Sequence, residues 1–163
     1  TIIIFLIFFS YYNYQKKQND IIISEQFTNA SILIKDNKIE ESKLILENIL
    51  SKDHKFYSPL ALNLLIDNEI EKDKKIILNY FDQVLKIKSI SNENLNLIKI
   101  KKALFLFNEK DEELIITTLN PIINSNSVWR NSAIKLIADY FFSINQKNKA
   151  NEYYKLLNEQ IEK

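Results

Sequence analysis

His54, in the stretch SKDHKFYSP, is the one histidine of the chain. An imidazole can serve as general acid or base, but that work needs a positioned partner, and no motif around His54 supplies one. The adjacent carboxylates Glu40 with Glu41 and Glu112 with Glu113 could share acid–base work only if they converged. Neighbours on a helix point in different directions, so these pairs read as solubilising charge. One histidine cannot build a multi-histidine metal centre. With no cysteine there is no thiolate nucleophile, disulfide framework or Cys-based zinc site, and either redox compartment is allowed. The chain also lacks glycine. Phosphate-cradling loops, dinucleotide fingerprints and nucleophile elbows all need glycine for a tight turn or a close backbone approach. The expectation is a protein that is not an enzyme, with no catalytic residue, cofactor, metal or small-molecule substrate.

Other function classes narrow in the same way. A length of 163 residues allows one domain with a real core. A net charge of +1 leaves no broad basic field for nucleic acid. The basic run Lys99 to Lys102 (KIKK) lies close to the acidic run Glu109 to Glu113 (EKDEE), and alternating blocks of this kind read as solvated helix faces.

The elements that must position these residues are helices. Apolar residues recur three and four apart: Phe27, Ala30 and Leu33; Leu46, Ile49 and Leu50; Ala133, Ile137, Ala138 and Phe141. Breaks fall at polar turns near Asp36-Asn37, Asn68 to Asp73, Asn108 to Asp111 and Asn145 to Asn148, where Asn replaces the absent glycine as a left-handed cap. Ser58-Pro59 reads as a cap followed by first-turn proline, and Ser91 and Ser127 as later caps. Pro121 is expected to kink or shorten its helix. The chain is therefore predicted to be all-α, with eight helices in four pairs: 20–36 with 38–51, 57–70 with 73–88, 91–108 with 111–123, and 127–144 with 147–162.

The pairs share one skeleton. Ala30, Leu65, Ala103 and Ala138 correspond in the first helices. Ser42, Ile77, Ile115 and Ala150 correspond in the second. Leu46, Phe81, Leu119 and Tyr154 follow, then Ile49, Val84, Ile122 and Leu157. The period is close to the ~34 residues of tetratricopeptide arrays, in which each pair needs its neighbours to cover its apolar face. The predicted fold is a tetratricopeptide-like α-solenoid of about four hairpins (20–51, 57–88, 91–123, 127–162), a repeat domain over 18–163. An ordinary helical bundle is the alternative. Leu65, Ile77 and Ile115 are bulky where such repeats favour small residues.

The stretch LNPIINSNSVWRNSAIKLIADYFFSINQKNKANEYYKLL, Leu119 to Leu157, is narrower in kind. Leu119-Asn120-Pro121, Trp129-Arg130, Ala133, Leu136, Ala138, Ala150 and Tyr154 resemble the C-terminal part of a membrane-anchored tetratricopeptide-like family. That family is the ancillary SecYEG translocon subunit (YfgM-like), in its alphaproteobacterial form. Asn145-Gln146 departs from the glycine that the family's turns often carry. The resemblance implies a non-catalytic, single-pass protein of the bacterial inner membrane. Its repeat domain would be periplasmic and its partners translocon subunits and periplasmic chaperones. A cell-envelope scaffold for another assembly remains the alternative, since fold does not settle function.

The opening TIIIFLIFFSYYNYQKK is apolar from Ile2 to Phe9, then carries Tyr11, Tyr12 and Tyr14, then Lys16 and Lys17. This is the order of a helix leaving a bilayer. Residues 1–17 are expected to be the truncated end of a transmembrane helix, completed by further apolar residues before Thr1, because a span needs ~20 apolar residues. No signal-peptidase-like site follows the run. A soluble first helix is the alternative, though a segment apolar on every face has no water-facing side. Lys16 and Lys17 alone favour a cytoplasmic repeat domain; the resemblance implies the reverse.

Repeat phase turns Glu69, Ile100, Lys135, Asp139 and Phe142 toward the groove that the first helices would line, making them candidate partner-binding residues, although each also suits ordinary helix surface. Trp129 and Arg130 join them. Trp129 either fills the gap after the proline-broken helix or is a partner hot spot, and Arg130 could instead bond carbonyls left exposed near Pro121.

Overall fold

The structure, a computed structural model, describes residues 2–158. Among these there are eight α-helices and no strand. The chain forms two compact units, one ending at Ile87 and the other beginning at Lys88. The first holds α1 (Ile2–Lys35), α2 (Ile39–Ser51), α3 (Tyr57–Asp67) and α4 (Lys74–Leu85). The second holds α5 (Asn92–Asn108), α6 (Glu112–Ile123), α7 (Arg130–Ser143) and α8 (Lys147–Asn158).

Within the first unit each helix packs on its successor, α1 also meets α3, and α2 also meets α4. The second unit repeats the sequential packing, with α5 also meeting α7. The positions singled out by period form the core. Ala30, Leu65, Ala103 and Ala138 are fully buried, as are Ser42, Ile115 and Ala150; Ile77 is buried with them. Leu46, Phe81 and Leu119 are buried too, and so are Ile49, Val84 and Ile122. Tyr154 and Leu157, near the end of the described chain, are half-buried. The close approach of α1 and α2 is visible at Ser42, whose Oγ donates to the Ala30 carbonyl at 3.1 Å. A larger side chain at either position would force the helices apart.

The turns work without glycine. Asn37, Glu69, Lys110 and Asn145 all have φ between 51° and 62°. Each follows the first helix of a pair and closes it in the same way. Lys38 N–H bonds the Leu33 carbonyl and Asn37 N–H bonds that of Ile34. The matching pairs are Ile70 to Leu65 with Glu69 to Ile66, Asp111 to Leu106 with Lys110 to Phe107, and Gln146 to Phe141 with Asn145 to Phe142. This is the Schellman closure, normally a glycine position. Asn was expected there and serves at Asn37 and Asn145. Glu69 and Lys110 take the role beside Asn68 and within the Asn108 to Asp111 break.

Other local expectations divide. Ser91 caps α5, accepting from Asn94 N–H, and Asp73 and Asp111 cap α4 and α6. Pro121 lies inside α6, which ends two residues later at Ile123. Ser58 does not cap α3. It is buried inside the first turn and donates to the Ile49 carbonyl at the end of α2. Ser127 precedes α7, and its Oγ accepts from Trp129 N–H. The expected last helix reached residue 162; residues 159–163 lie outside the described ones.

The apolar opening does not stand apart from the first repeat helix. The apolar opening and the first repeat helix are one continuous helix, α1, 34 residues long. No helix among the described residues is long and apolar enough to cross a membrane. In α1 the limit is composition, because the apolar run stops at Phe9 and Asn13, Gln15, Lys16, Lys17 and Asp20 follow. Residues 2–17 are all exposed, and Ile23 is the first buried residue.

Two outcomes follow for stability. Replacing Glu69 with Gly relieves the Cβ crowding of a left-handed residue and should raise unfolding free energy by about 0.5–1 kcal/mol, whereas Glu69→Val should lower it. Ala138→Leu should overpack α7 and cost about 1–3 kcal/mol. Urea titration of each variant measures both.

Candidate functional site

The candidate residues of the second unit sit on α7 and its entry. Trp129 is half-buried and is the residue before the helix. Arg130 Nε donates to the Ile123 carbonyl at 2.8 Å, so its guanidinium occupies an acceptor left open by the end of α6. Its Nη1 is buried without a partner. Lys135 Nζ lies 2.6 Å from Asp139 Oδ2, one helical turn on, and Tyr154 Oη donates to Asp139 Oδ1 at 2.6 Å. Burial alone would raise the Asp139 carboxyl; the Lys135 ammonium and the Tyr154 hydroxyl prevail and hold it below the usual carboxylate range. The same bond pushes the Tyr154 phenol up. Phe142 is 59 % exposed. Lys135, Asp139 and Phe142 are spaced to share one face of α7.

Ile100 lies elsewhere. It is buried with Ile98, Ala103 and Leu106, because α5 packs against both α6 and α7 and hides a wide face. It therefore presents no surface to a partner. Glu69, in the first unit, is exposed, and its carboxylate is 3.9 Å from Lys72 Nζ. Its left-handed backbone gives it a turn-forming role that repeat phase does not reveal.

The first unit contains a polar groove that sequence reasoning missed. It has a volume of about 550 Å³ and runs along α1 past the end of α2. His54 closes one side. Its Nδ1 accepts from the N–H groups of Phe56 (3.2 Å) and Tyr57 (3.1 Å). The neutral ring therefore carries its proton on Nε2, which faces Asp20 Oδ1 at 3.2 Å. Both ring nitrogens are engaged, so His54 ties α1 to the α2–α3 turn and has no lone pair left for a substrate proton. A signal for this contact does exist in the chain. Asp20 and His54, 34 residues apart, are equidistant from the Asn37 turn, as are Gln26 and Asn48, 22 apart and hydrogen-bonded at 3.4 Å. An antiparallel hairpin brings such pairs together. Among the described residues no three His, Asp or Glu side chains are grouped to hold a metal ion.

A second missed feature is Glu71, a buried carboxylate in the α3–α4 connection. Lys43 Nζ on α2 lies 2.9 Å from its Oε2, and the N–H groups of Lys72 and Asp73 both donate to Oε1 at 2.7 Å. The Lys43 ammonium first, then the Asp73 and Lys72 peptides, outweigh burial and hold this carboxyl below the usual glutamate range. Beside it Tyr80 Oη donates to Glu47 Oε1 at 2.7 Å, and burial together with that carboxylate pushes the phenol up.

The lowered Glu71 value fixes the sign of a pH effect. Glu71 contributes its full stability above the unfolded glutamate pKa of about 4.3, and that contribution is lost as pH falls through the lower folded value. Glu71→Gln should therefore flatten the acid limb of a melting-temperature profile below about pH 4. Arg130→Ala, which strands the Ile123 carbonyl, should cost about 1–3 kcal/mol with no such pH dependence. No protein-family model, curated protein or solved structure matches the chain, so the functional reading rests on its own residues.

Proposed function

We propose that this protein is a non-catalytic, membrane-attached helical-repeat module of tetratricopeptide-like type that mediates protein–protein interactions. The observation that carries the proposal is the N-terminal end of α1. Ile2 to Phe9 are each 56–78 % exposed, on every side of the helix, and lead without a break into the first hairpin. At 1.5 Å per residue this stretch supplies about 12 Å of helix that is apolar on all sides. Tyr11, Tyr12 and Tyr14 then point in different directions around the axis, which suits a helix entering the interface end-on. A helix lying flat would keep its aromatics on one side.

The proposed setting comes from the resemblance of Leu119 to Leu157. It is the periplasmic face of the bacterial inner membrane, beside the secretion translocon, with translocon subunits or periplasmic chaperones as partners. Anchoring raises the effective concentration of such partners without a tight interface. The face of α7 bearing Lys135, Asp139 and Phe142, with Trp129 and Arg130 at its start, is the proposed contact. Phe142 supplies its exposed apolar centre.

The test uses the full chain. Ile4→Lys combined with Ile7→Lys places charges on a surface that supports no core, so melting should be unchanged. Membrane association should be lost, since each lysine costs about 2.5–3.5 kcal/mol in hydrocarbon. A photo-crosslinker at position 142 should capture translocon or chaperone components. Capture of other envelope-assembly proteins alone would move the assignment to a general envelope scaffold. A wild-type chain that remains soluble in the presence of membranes would end the membrane reading.

A further inference from the structure

The side chain of Phe56, the N-cap residue of α3, makes no capping bond. The N–H groups of Phe56 and Tyr57, of the kind a helix start leaves open, turn back instead to Nδ1 of His54. A histidine Nδ1, like an asparagine Oδ1, is bonded directly to Cγ, so this imidazole stands where an asparagine cap would. The difference is that an imidazole takes up a proton, and histidine is the side chain that ordinarily does so between about pH 5 and 8. The ring is 14 % exposed, and its other nitrogen is committed, with Nε2 3.2 Å from Asp20 Oδ1. A proton can therefore add only at Nδ1, where both peptides hold the lone pair. Once there, it turns Nδ1 into a donor facing two donors. Turning the ring over takes Nε2 off Asp20 and offers a C–H to the same peptides. The Ser58 hydroxyl beside the ring is engaged already, accepting from His54 N–H and donating to the Ile49 carbonyl. The charges around the ring lie away from Nδ1. Asp20 of α1 faces Nε2, and Lys16 of α1 and Lys52 at the end of α2 line the adjoining groove. Asp53 accepts from Gln83 of α4, Lys55 lies over the Phe56 ring at 5.1 Å, and α3 brings the Tyr57 ring, 5.1 Å from the imidazole.

We propose that His54 is an acid-sensitive joint between the two hairpins of the first unit. Neutral, it holds α1 through Asp20 and the start of α3 through the two peptides. Protonated, it keeps α1 and lets go of α3. The released segment, Lys55 to Ser58, carries the Tyr57 ring that packs against Phe27 of α1 with centroids 5.6 Å apart. It also carries the Ser58 hydroxyl that closes the end of α2. In acid the end of α2 and the start of α3 are free to shift against each other. The helices on either side remain formed, held by buried residues such as Leu46, Leu62 and Phe81.

Nitrogen NMR of the imidazole and amide hydrogen exchange, both followed on the full chain from about pH 8 to about pH 5, test this. As the imidazole takes up its proton, protection of the Phe56 and Tyr57 amides, corrected for the intrinsic pH dependence of exchange, should fall about tenfold or more. The core amides of α2 and α4 should keep theirs. His54→Asn retains an acceptor at the capping position and has nothing to titrate there, so the two amides should stay protected across the range. His54→Ala should leave them unprotected throughout. Wild-type protection that stays constant while the imidazole signal changes would overturn the proposal. So would an imidazole still neutral at the acid end of the range, or the same acid loss in His54→Asn. Loss of protection spread over every helix would be global unfolding and would overturn the joint as well.

Discussion

The structure depends on reversing a helix sharply with L-residues alone. A hairpin whose helices approach as closely as Ala30 and Ser42 needs a short turn, and a short turn needs a residue in the left-handed region. Elsewhere glycine adopts that conformation without a Cβ clash. This chain uses Asn37, Glu69, Lys110 and Asn145, each accepting a strain on the order of 1–2 kcal/mol. What holds them there is the pair of backbone bonds that each closure returns to the preceding helix, which satisfies carbonyls otherwise left open. The turns also set the register. Counting outward from Asn37 places Gln26 against Asn48 and Asp20 against His54, so the polar groove follows from the turn.

Several open carbonyls at helix ends are met by side chains from a later element. Ser58 serves Ile49, Gln83 Nε2 serves Leu50 at 3.0 Å, and Arg130 serves Ile123. In each case a polar bond joins one helix to a later one at a point where the apolar core would otherwise end on bare backbone. Glu71 does the same from the opposite charge, taking the first peptides before α4 on one oxygen and Lys43 of α2 on the other. Apolar burial holds the helices together but is indifferent to sliding; these bonds are directional and fix their ends.

Much of this was legible in the sequence, for a definite reason. Burial recurs with the helix period, and a recurring apolar position is a local pattern. Ala30, Ala103 and Ala138 could be matched to one another, and all three are fully buried. Polar contacts leave no such trace. Ser58 resembles a cap when read locally and is instead a cross-helix donor, because the decisive carbonyl belongs to Ile49 of the previous helix. Ile100 was assigned to a groove by phase alone, yet α5 meets both α6 and α7, and a helix with two neighbours hides more than one stripe. The opening and the first repeat helix run together for a simpler reason. No proline, glycine or capping turn separates Phe9 from Ile23, so nothing ends the helix when its environment changes.

That continuity gives α1 its character. Over its first turns the helix is apolar on all sides; from Ile23 onward it buries one stripe and presents polar residues elsewhere. The change occurs through the tyrosines and Lys16, within a single hydrogen-bonded rod. A flexible linker at this point would let the first unit tumble beneath any surface the end of α1 entered. A continuous helix removes that freedom. Its axis direction passes to α2 through the close contact at Ser42 and to the α2–α3 turn through His54. In the proposed attachment, the same rod that supplies hydrophobic insertion also fixes the direction in which the first hairpin leaves the bilayer.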